Sequence, residues 1–324
     1  MADILRFENF RLDLQNDEGQ RYNLLDDISF SLPDGKALGI VGESGCGKSI
    51  TSLAVMRLLP AAARVVGGSV YLKGEDLLKK TEQEMYQIRG RDVAMVFQDP
   101  VTCLNPVLTI GFQIAEAIRR HNPEDSDAAI KDRTLALLNR VGIPNPEKRI
   151  KNYPHQFSGG MRQRTMIAMA IACSPGLLIA DEATTALDVT IQAQVLDLMM
   201  RLKEGGSFMF ITHNLGIVAE VCDEVTVMYA GQIVEAGAVE EVFLHPAHPY
   251  TKGLLLALPT LEFTGKKLYN IPGVVPTVQN FTTGCRYAPR CDYAKPVCSE
   301  SKPVRCVLND NHNVACYLYE EVRV

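Results

Sequence analysis

One glycine-rich stretch constrains the fold of this chain more than any other feature: Gly42-Glu43-Ser44-Gly45-Cys46-Gly47-Lys48-Ser49. It follows the apolar run Ala37–Val41, which predicts a buried strand, and precedes Ile50–Leu59, which predicts a helix. A loop of this pattern between a strand and a helix binds phosphate, because its glycines let successive backbone N–H groups face one anion. The alternative is a glycine-rich turn without a ligand.

Two side chains of this stretch carry specific predictions. Lys48 can reach the terminal phosphates of a nucleotide, and the Ser49 hydroxyl can ligate Mg²⁺. Together with the backbone N–H groups, they predict a site for a nucleoside triphosphate and its metal ion.

Composition limits the partners that the protein can have. The 324 residues suffice for a full α/β core and an appendage. The net charge is −5 and no block of lysine or arginine stands out, so an electrostatic footprint for nucleic acid is missing. The start, Met1–Arg6, lacks the pattern of a signal peptide, and the near-apolar stretch Met166–Ala180 is too short and interrupted to span a bilayer. We expect a cytoplasmic protein that meets a membrane through a partner.

A second candidate site follows the apolar run Leu177–Ala180, which predicts a buried strand. Asp181 and Glu182 end this run. A carboxylate at the end of a buried parallel strand is how a phosphate-loop fold presents a Mg²⁺ ligand, so Asp181 is the predicted ligand. Glu182 would face the attacking water. The alternative is that the two carboxylates only cap the next helix.

Three isolated residues and one short stretch extend the prediction. Gln98 and His213 each follow a predicted strand and can contact a metal ion, water or phosphate, although a solvated or structural role is also open. Tyr22 can stack on adenine or pack at a sheet edge. Ser158 predicts a helix N-cap, and Gly159 and Gly160 leave the first turn of that helix open to an anion.

The strand pattern disappears from Gly111 to Lys151, where apolar residues recur at helical spacing. We therefore predict a large α/β domain over residues 1–257, with a helical subdomain at about 111–173. Prolines become frequent after Phe243, and a small cysteine-rich extension is predicted over 258–324.

Taken together, these stretches resemble the ATPase subunit of ABC transporters. Gly42–Ser49 is similar to the Walker A loop, Leu177–Glu182 to Walker B, and Gln98 to the Q-loop glutamine. Ser158–Gly160 resembles the signature, Thr185–Asp188 the D-loop, and His213 the switch histidine. Two positions depart from the family pattern, since Ala183 replaces a usual proline and Met161 a common glutamine.

Further segments resemble the branch of this family that imports dipeptides, oligopeptides or nickel. They are Phe97–Pro100, Leu104–Pro106, Tyr153–Gln156, Ala186–Gln194, His248–Thr251 and the cysteine-rich tail. With them the resemblance covers nearly the whole chain. Thr185 and Thr190 stand where the companion subunit of this branch tends to carry serine, which suggests one half of a heterodimeric ATPase pair.

The resemblance implies ATP hydrolysis coupled to peptide uptake. It places nucleotide contacts on Tyr22, Gly42, Glu43, Ser44, Gly45, Cys46, Gly47, Lys48, Ser49, Ile50, Gln98, Asp181, Ser158, Gly159 and Gly160. Ser49, Gln98 and Asp181 would hold Mg²⁺, while Glu182, His213 and Gln98 would be catalytic. The signature would close over the nucleotide of a partner subunit.

The implied partners are a second ABC ATPase subunit, two transmembrane permease subunits and an extracytoplasmic solute-binding protein, at the cytoplasmic face of the inner membrane. A rival assignment is a soluble ABC ATPase that acts on nucleic acid or ribosomes. The paired cassettes or basic insertions that it predicts are missing from the sequence. A metal-binding regulator on an inactive ATPase fold is a weaker third assignment, because Lys48, Asp181, Glu182 and His213 are all retained.

The last 40 residues hold five of the nine cysteines. A proline-rich segment with few apolar residues needs a disulfide or a bound metal to stabilise it. In a cytosolic protein a bound metal is more compatible with the reducing environment than disulfides are. Cys285, Cys291, Cys298 and Cys316 resemble the cysteine set that holds a [4Fe–4S] cluster in some peptide-importer ATPases. Zinc and unligated thiols stay open as alternatives. Cys306 lies outside that set, and His312 is a possible substitute ligand.

Overall fold

The computed structural model describes residues 2–183, 189–202, 206–258 and 269–320, which have the predicted α/β class and form two compact units. The first unit comprises the described residues of Met1–Leu78 and Phe210–Val324. The second comprises those of Lys79–Met209. The first unit is therefore built from two stretches that are far apart in the chain.

The strands, numbered in chain order, are β1 (Asp3–Gln15), β2 (Arg21–Pro33), β3 (Ala37–Val41), β4 (Ala63–Leu72), β5 (Glu75–Asp76), β6 (Val93–Val96), β7 (Leu177–Asp181), β8 (Ser207–Thr212), β9 (Glu224–Tyr229), β10 (Gln232–Ala238), β11 (Arg305–Asn309) and β12 (His312–Ala315). The boundary between the two units falls within β8.

The helices are α1 (Lys48–Met56), α2 (Glu82–Ile88), α3 (Pro100–Cys103), α4 (Ile110–His121), α5 (Asp127–Arg140), α6 (Pro146–Arg149), α7 (Gly159–Ala170), α8 (Val189–Leu202), α9 (Leu215–Val221), α10 (Val239–Leu244), α11 (Pro249–Leu256) and α12 (Pro296–Glu300).

Two sheets organise the first unit. One has the order β2-β1-β4-β5 and is antiparallel. The other has the order β11-β12-β10-β9-β3 within this unit, and β3 and β9 pair in parallel while the remaining neighbours are antiparallel. All five residues of β3 are buried. This agrees with the apolar run that predicts the strand, and it places the phosphate loop at the carboxyl end of a buried strand.

The second unit combines a parallel strand pair with the helical stretch. β6 and β7 pair in parallel, and every residue of both strands is buried. Helices α4 and α5 begin after Thr109 and Ser126, whose hydroxyls accept hydrogen bonds from the N–H groups of Phe112 and Ala129. These caps explain why the helices start there. The bounds of the helical subdomain stay a prediction.

The cysteine-rich tail packs within the first unit. β12 pairs with β10, and β11 with β12. Tyr287 of the tail joins a buried aromatic cluster, with its ring centroid 5.0 Å from that of Tyr229 and 5.4 Å from that of Tyr250. The described residues on both sides of the predicted boundary near residue 258 belong to the same unit. The hairpin β11–β12 has no counterpart in the sequence prediction.

Candidate functional site

The glycine-rich loop runs from the end of β3 to the start of α1. Gly42 has φ 153°, and a Cβ on this residue would lie 2.1 Å from the carbonyl oxygen of Met228, so only glycine fits there. Gly47 has φ 100°, and its Cβ would lie 2.5 Å from Leu25 Cδ2. Neighbouring atoms therefore pack tightly against the loop at Gly42 and at Gly47. This is the conformation in which N–H groups form an anion-binding concavity.

Lys48 is buried and its ammonium group lies within the loop. Its Nζ donates to the carbonyl oxygens of Gly42 at 2.8 Å and Glu43 at 3.0 Å. A cation held against loop carbonyls, at the N-terminus of α1, adds positive charge where the sequence predicts phosphate. The Ser49 hydroxyl belongs to the same first turn.

Cys46 lies in the loop with its side chain fully buried. Burial raises the pKa of its thiol, and the nearby Lys48 ammonium opposes this shift only in part. Its Sγ lies 3.8 Å from Lys48 Nζ. At neutral pH the group is therefore a thiol, which reacts slowly.

Replacing Cys46 by serine should leave the Kd for ATP nearly unchanged, because the backbone rather than the sulfur faces the predicted phosphates. Titration of the purified variant with a slowly hydrolysed ATP analogue measures this. Maleimide should label Cys46 much more slowly than the half-buried Cys103, and ATP should slow it further. Fast labelling that ATP does not slow would contradict this placement of the loop.

In the second unit the structure brings two predicted residues together. The Gln98 side-chain amide donates from Nε2 to Glu182 Oε2 at 2.9 Å. Asp181 is buried at the end of β7, and Glu182 follows with φ 46°, a left-handed conformation that residues other than glycine rarely adopt. Such backbone is common at functional sites. Glu182 thus leaves the strand in a sharp turn with its carboxylate oriented by an amide.

Ser158 caps α7 as its sequence predicts. Its Oγ accepts a hydrogen bond from Met161 N–H at 3.3 Å. A Cβ added at Gly159 would meet nothing within 4 Å, so neighbouring atoms do not require glycine there. The open first turn agrees with a surface that receives an anion.

The remaining predicted residues lie in separate places. Tyr22 is half-buried on β2, where it pairs with Leu14, and its hydroxyl donates to Gln20. His213 is exposed directly after β8. Stacking on adenine by Tyr22 and phosphate contact by His213 both stay predictions. The predicted D-loop, Thr185–Asp188, lies outside the described residues.

The four predicted cysteine ligands line one small cavity of the first unit, together with His248, Tyr287 and Tyr317. Among the residues that the structure describes, no group of three or more His, Cys, Asp or Glu side chains is placed so that it could hold a metal ion. Cys306 packs instead against Ala247 and Val314. His312 Nε2 lies 2.7 Å from Glu235 Oε1 and its ring does not line the cavity, so His312 is not placed as a substitute ligand.

The Lys295 N–H donates to Cys298 Sγ at 3.4 Å. Burial nevertheless raises the pKa of Cys285 to about 11 and raises those of Cys291 and Cys316. A cation in the cavity would favour the thiolates instead.

Sequence reasoning misses the contacts that join α11 and the tail to the phosphate loop. The Glu43 N–H donates to the Tyr250 hydroxyl at 2.8 Å, and Arg290 binds the Glu43 carboxylate through two hydrogen bonds of 2.7 and 3.2 Å. These partners lie 207 and 247 residues from Glu43. Local patterns carry no signal over such separations. Two arginines close to the cysteines, Arg286 and Arg290, are the only hint in the sequence.

Comparisons with known proteins assign both parts of the chain. Residues 25–185 match the family described as ABC transporter, and residues 234–298 match the oligopeptide/dipeptide transporter C-terminal region. Among the described residues, none of the helices has the length and apolar character needed to cross a membrane.

Several curated relatives match nearly the full chain. A probable peptide ABC transporter ATP-binding protein of Sinorhizobium fredii is 52% identical over 299 residues, which are 91% of this chain and 89% of the relative. A dipeptide transport ATP-binding protein of Bacillus subtilis is 49% identical, with 91% and 88% covered. An oligopeptide transport ATP-binding protein of the same organism is 50% identical, with 90% and 82% covered.

Solved structures agree on the fold. A dimeric ATP-binding cassette in a post-hydrolysis state, bound to ADP and phosphate, superimposes with a TM-score of 0.65 at 22% identity and covers 72% of this chain and 98% of that structure. At this identity the likeness concerns the fold alone.

Proposed function

Because the chain belongs to the ABC transporter family of ATPases, we propose that it hydrolyses ATP to power the uptake of peptides through a membrane importer. The observation that carries this proposal is the identity of 49–52% to peptide-transport ATP-binding proteins over nine-tenths of the chain. The match of residues 234–298 to the oligopeptide/dipeptide C-terminal region supports the same substrate class. The rival assignment to nucleic acid or ribosomes finds no support in these relatives.

The phosphate loop would bind the phosphates of ATP. Its N–H groups and the Lys48 ammonium would hold the β- and γ-phosphates, while Ser49, Gln98 and Asp181 would hold Mg²⁺. Carboxylate, amide and hydroxyl oxygens suit this hard cation. Mg²⁺ supplies charge neutralisation on the phosphates when bound.

The Glu182 carboxylate would accept the proton of the attacking water. Its hydrogen bond from Gln98 fixes the orientation of one carboxylate oxygen. His213 would contact the γ-phosphate. The glycine-started turn at Ser158–Gly160 would bind the nucleotide of a second ATPase subunit, with a heterodimeric pair as the expected assembly.

The partners in this proposal are that second ATPase, two permease subunits and a solute-binding protein, with the chain at the cytoplasmic face of the inner membrane. Purification of the tagged chain from membranes tests the assembly. Recovery of a permease and a peptide-binding protein in fixed ratio supports it. Recovery of ribosomes or nucleic acid in their place would overturn it.

The cysteine cavity is the proposed site of a [4Fe–4S] cluster held by Cys285, Cys291, Cys298 and Cys316. Four cysteines around one cavity provide the ligand number that such a cluster takes, and one of the sulfurs, that of Cys298, accepts a hydrogen bond from a backbone N–H. A single zinc ion needs four sulfurs at about 2.3 Å from one point. The described residues show no group of three or more such side chains placed to hold a metal ion, so the proposal rests on the resemblance of the cysteine set and on the shared cavity. The cluster's role would be structural.

Anaerobically purified protein should be brown, with iron and acid-labile sulfide near four per chain, since each cysteine would bind one of four irons. Cys298→Ser should lower both contents strongly. Cys306→Ser is the matched control, because Cys306 is also buried in the tail but does not line the cavity. Colourless protein with about one zinc per chain would exclude the cluster and keep the site, and metal-free folded protein would exclude both.

A further inference from the structure

The second residue of the phosphate loop, Glu43, is held from three directions. Its N–H donates to the Tyr250 hydroxyl, its carbonyl accepts from Lys48, and its carboxylate accepts from Arg290. Two of these three partners belong to the C-terminal part of the chain. The conformation of the loop therefore depends on residues that are not part of the loop motif.

Arg290 is unusually well fixed for an arginine. Its side chain is only 5% exposed, and it forms a two-pronged ion pair with the Glu43 carboxylate. Its Nε also donates to the Pro272 carbonyl at 2.8 Å, and its Nη1 lies 3.3 Å from the Tyr229 hydroxyl. These partners fix the guanidinium group in one position. Arg290 therefore determines where the Glu43 carboxylate lies.

The Tyr250 hydroxyl is fixed just as firmly. Tyr250 is fully buried, with its ring edge-on to Tyr229 at a centroid distance of 4.7 Å. Its own N–H donates to His248 Nδ1 at 3.0 Å, the cap of α11. The backbone and ring of Tyr250 are thus both constrained, which leaves its hydroxyl in place to receive the Glu43 N–H.

The charges at this point oppose nucleotide binding unless they are paired. Glu43 lies in the loop that receives the phosphates, and its carboxylate would repel them. Arg290 neutralises that charge through the ion pair. Without Arg290 the loop would keep its shape less well and would also present a negative charge to ATP.

We infer that Arg290 and Tyr250 are positioning residues for ATP binding, through which the C-terminal segment sets the conformation and charge of the phosphate loop. The inference rests on the proposed function, in which Gly42–Ser49 holds the phosphates of ATP. Neither residue touches the nucleotide, and both act through Glu43.

Equilibrium titration of the full-length chain with Mg²⁺ and a slowly hydrolysed ATP analogue tests this inference. Arg290→Gln should raise the Kd at least about fivefold, the lower end of typical coupling between sites. In steady-state assays the same variant should raise the KM for ATP more than it lowers kcat. Arg305→Gln is the matched control, because Arg305 is also in the tail but donates to the Ser29 carbonyl.

A double variant separates electrostatics from simple damage to the fold. Adding Glu43→Gln to Arg290→Gln removes the unpaired carboxylate, so the Kd should move back toward the wild-type value. The effect of Arg290→Gln should also shrink at high salt, because screening weakens the repulsion. Loss of packing alone predicts neither rescue nor salt dependence.

Tyr250→Phe decides the matter if Arg290→Gln does not fold, since it removes one hydroxyl and keeps the ring. It should raise the Kd and leave the far-ultraviolet spectrum unchanged. Wild-type protein that binds the analogue, alongside Arg290→Gln and Tyr250→Phe variants with unaltered Kd, would overturn the inference. Wild-type protein that does not bind the analogue would instead overturn the proposed function.

Discussion

Replacing Glu182 by glutamine should leave ATP binding intact and lower the hydrolysis rate by about 10²- to 10⁴-fold, the usual contribution of a general base. Glutamine keeps the shape of the side chain and can still pair with Gln98 after its amide rotates, but it cannot accept the proton of water. The measurement is phosphate release by the assembled complex, together with the Kd of the same variant for an ATP analogue.

Glu124→Gln provides the control, because Glu124 is an exposed glutamate of the same unit that lies between α4 and α5. It should hydrolyse ATP at the wild-type rate. Unchanged turnover in Glu182→Gln would mean that another group accepts the proton. Ala183, at the turn after Glu182, is where we would then look for a difference from other family members.

Replacing Lys48 by alanine should lower kcat/KM for ATP by at least about 100-fold, in line with the loss of one charged donor from a preorganised site. The change removes the cation that the loop holds at 2.8 Å from the Gly42 carbonyl. It also removes the donor of the Gly42 carbonyl, which costs about 1–3 kcal/mol of stability if that group stays buried, whereas the Glu43 carbonyl still accepts from the Cys46 N–H at 3.3 Å.

Lys131→Ala is the comparison for this change, since Lys131 is exposed on α5 and far from the loop in sequence. Thermal unfolding in the absence of nucleotide separates the two effects of Lys48→Ala. A variant that keeps the wild-type kcat/KM would show that the loop amides alone bind the phosphates.

The parts of the fold that could be predicted are those that local sequence dictates. β3 runs over Ala37–Val41, as the apolar run predicts, because five consecutive apolar residues before a glycine leave few alternatives. The cap at Ser158 is placed correctly for a similar reason, since its hydroxyl satisfies an N–H three residues later.

The parts that could not be predicted depend on distant residues. The hairpin β11–β12 is positioned because β12 pairs with β10, which lies about 70 residues earlier in the chain. The sequence of the hairpin itself is typical of a polar turn in a loop-rich tail. The ion pair between Glu43 and Arg290 is likewise invisible in either segment alone. The pairing of Gln98 with Glu182 is an intermediate case, because the family resemblance predicts both residues but not the bond between them.

The two-stretch construction of the first unit has a consequence for synthesis on the ribosome. The second unit, Lys79–Met209, is a continuous segment and can fold as soon as it has emerged. The phosphate loop emerges earlier but must wait for Arg290, 247 residues later, which takes roughly 10 to 50 seconds at ordinary rates of translation. β3, which is fully buried in the finished protein, also has to wait for its partner strand β9. The loop that defines the family is therefore among the last parts of the protein to reach its final form.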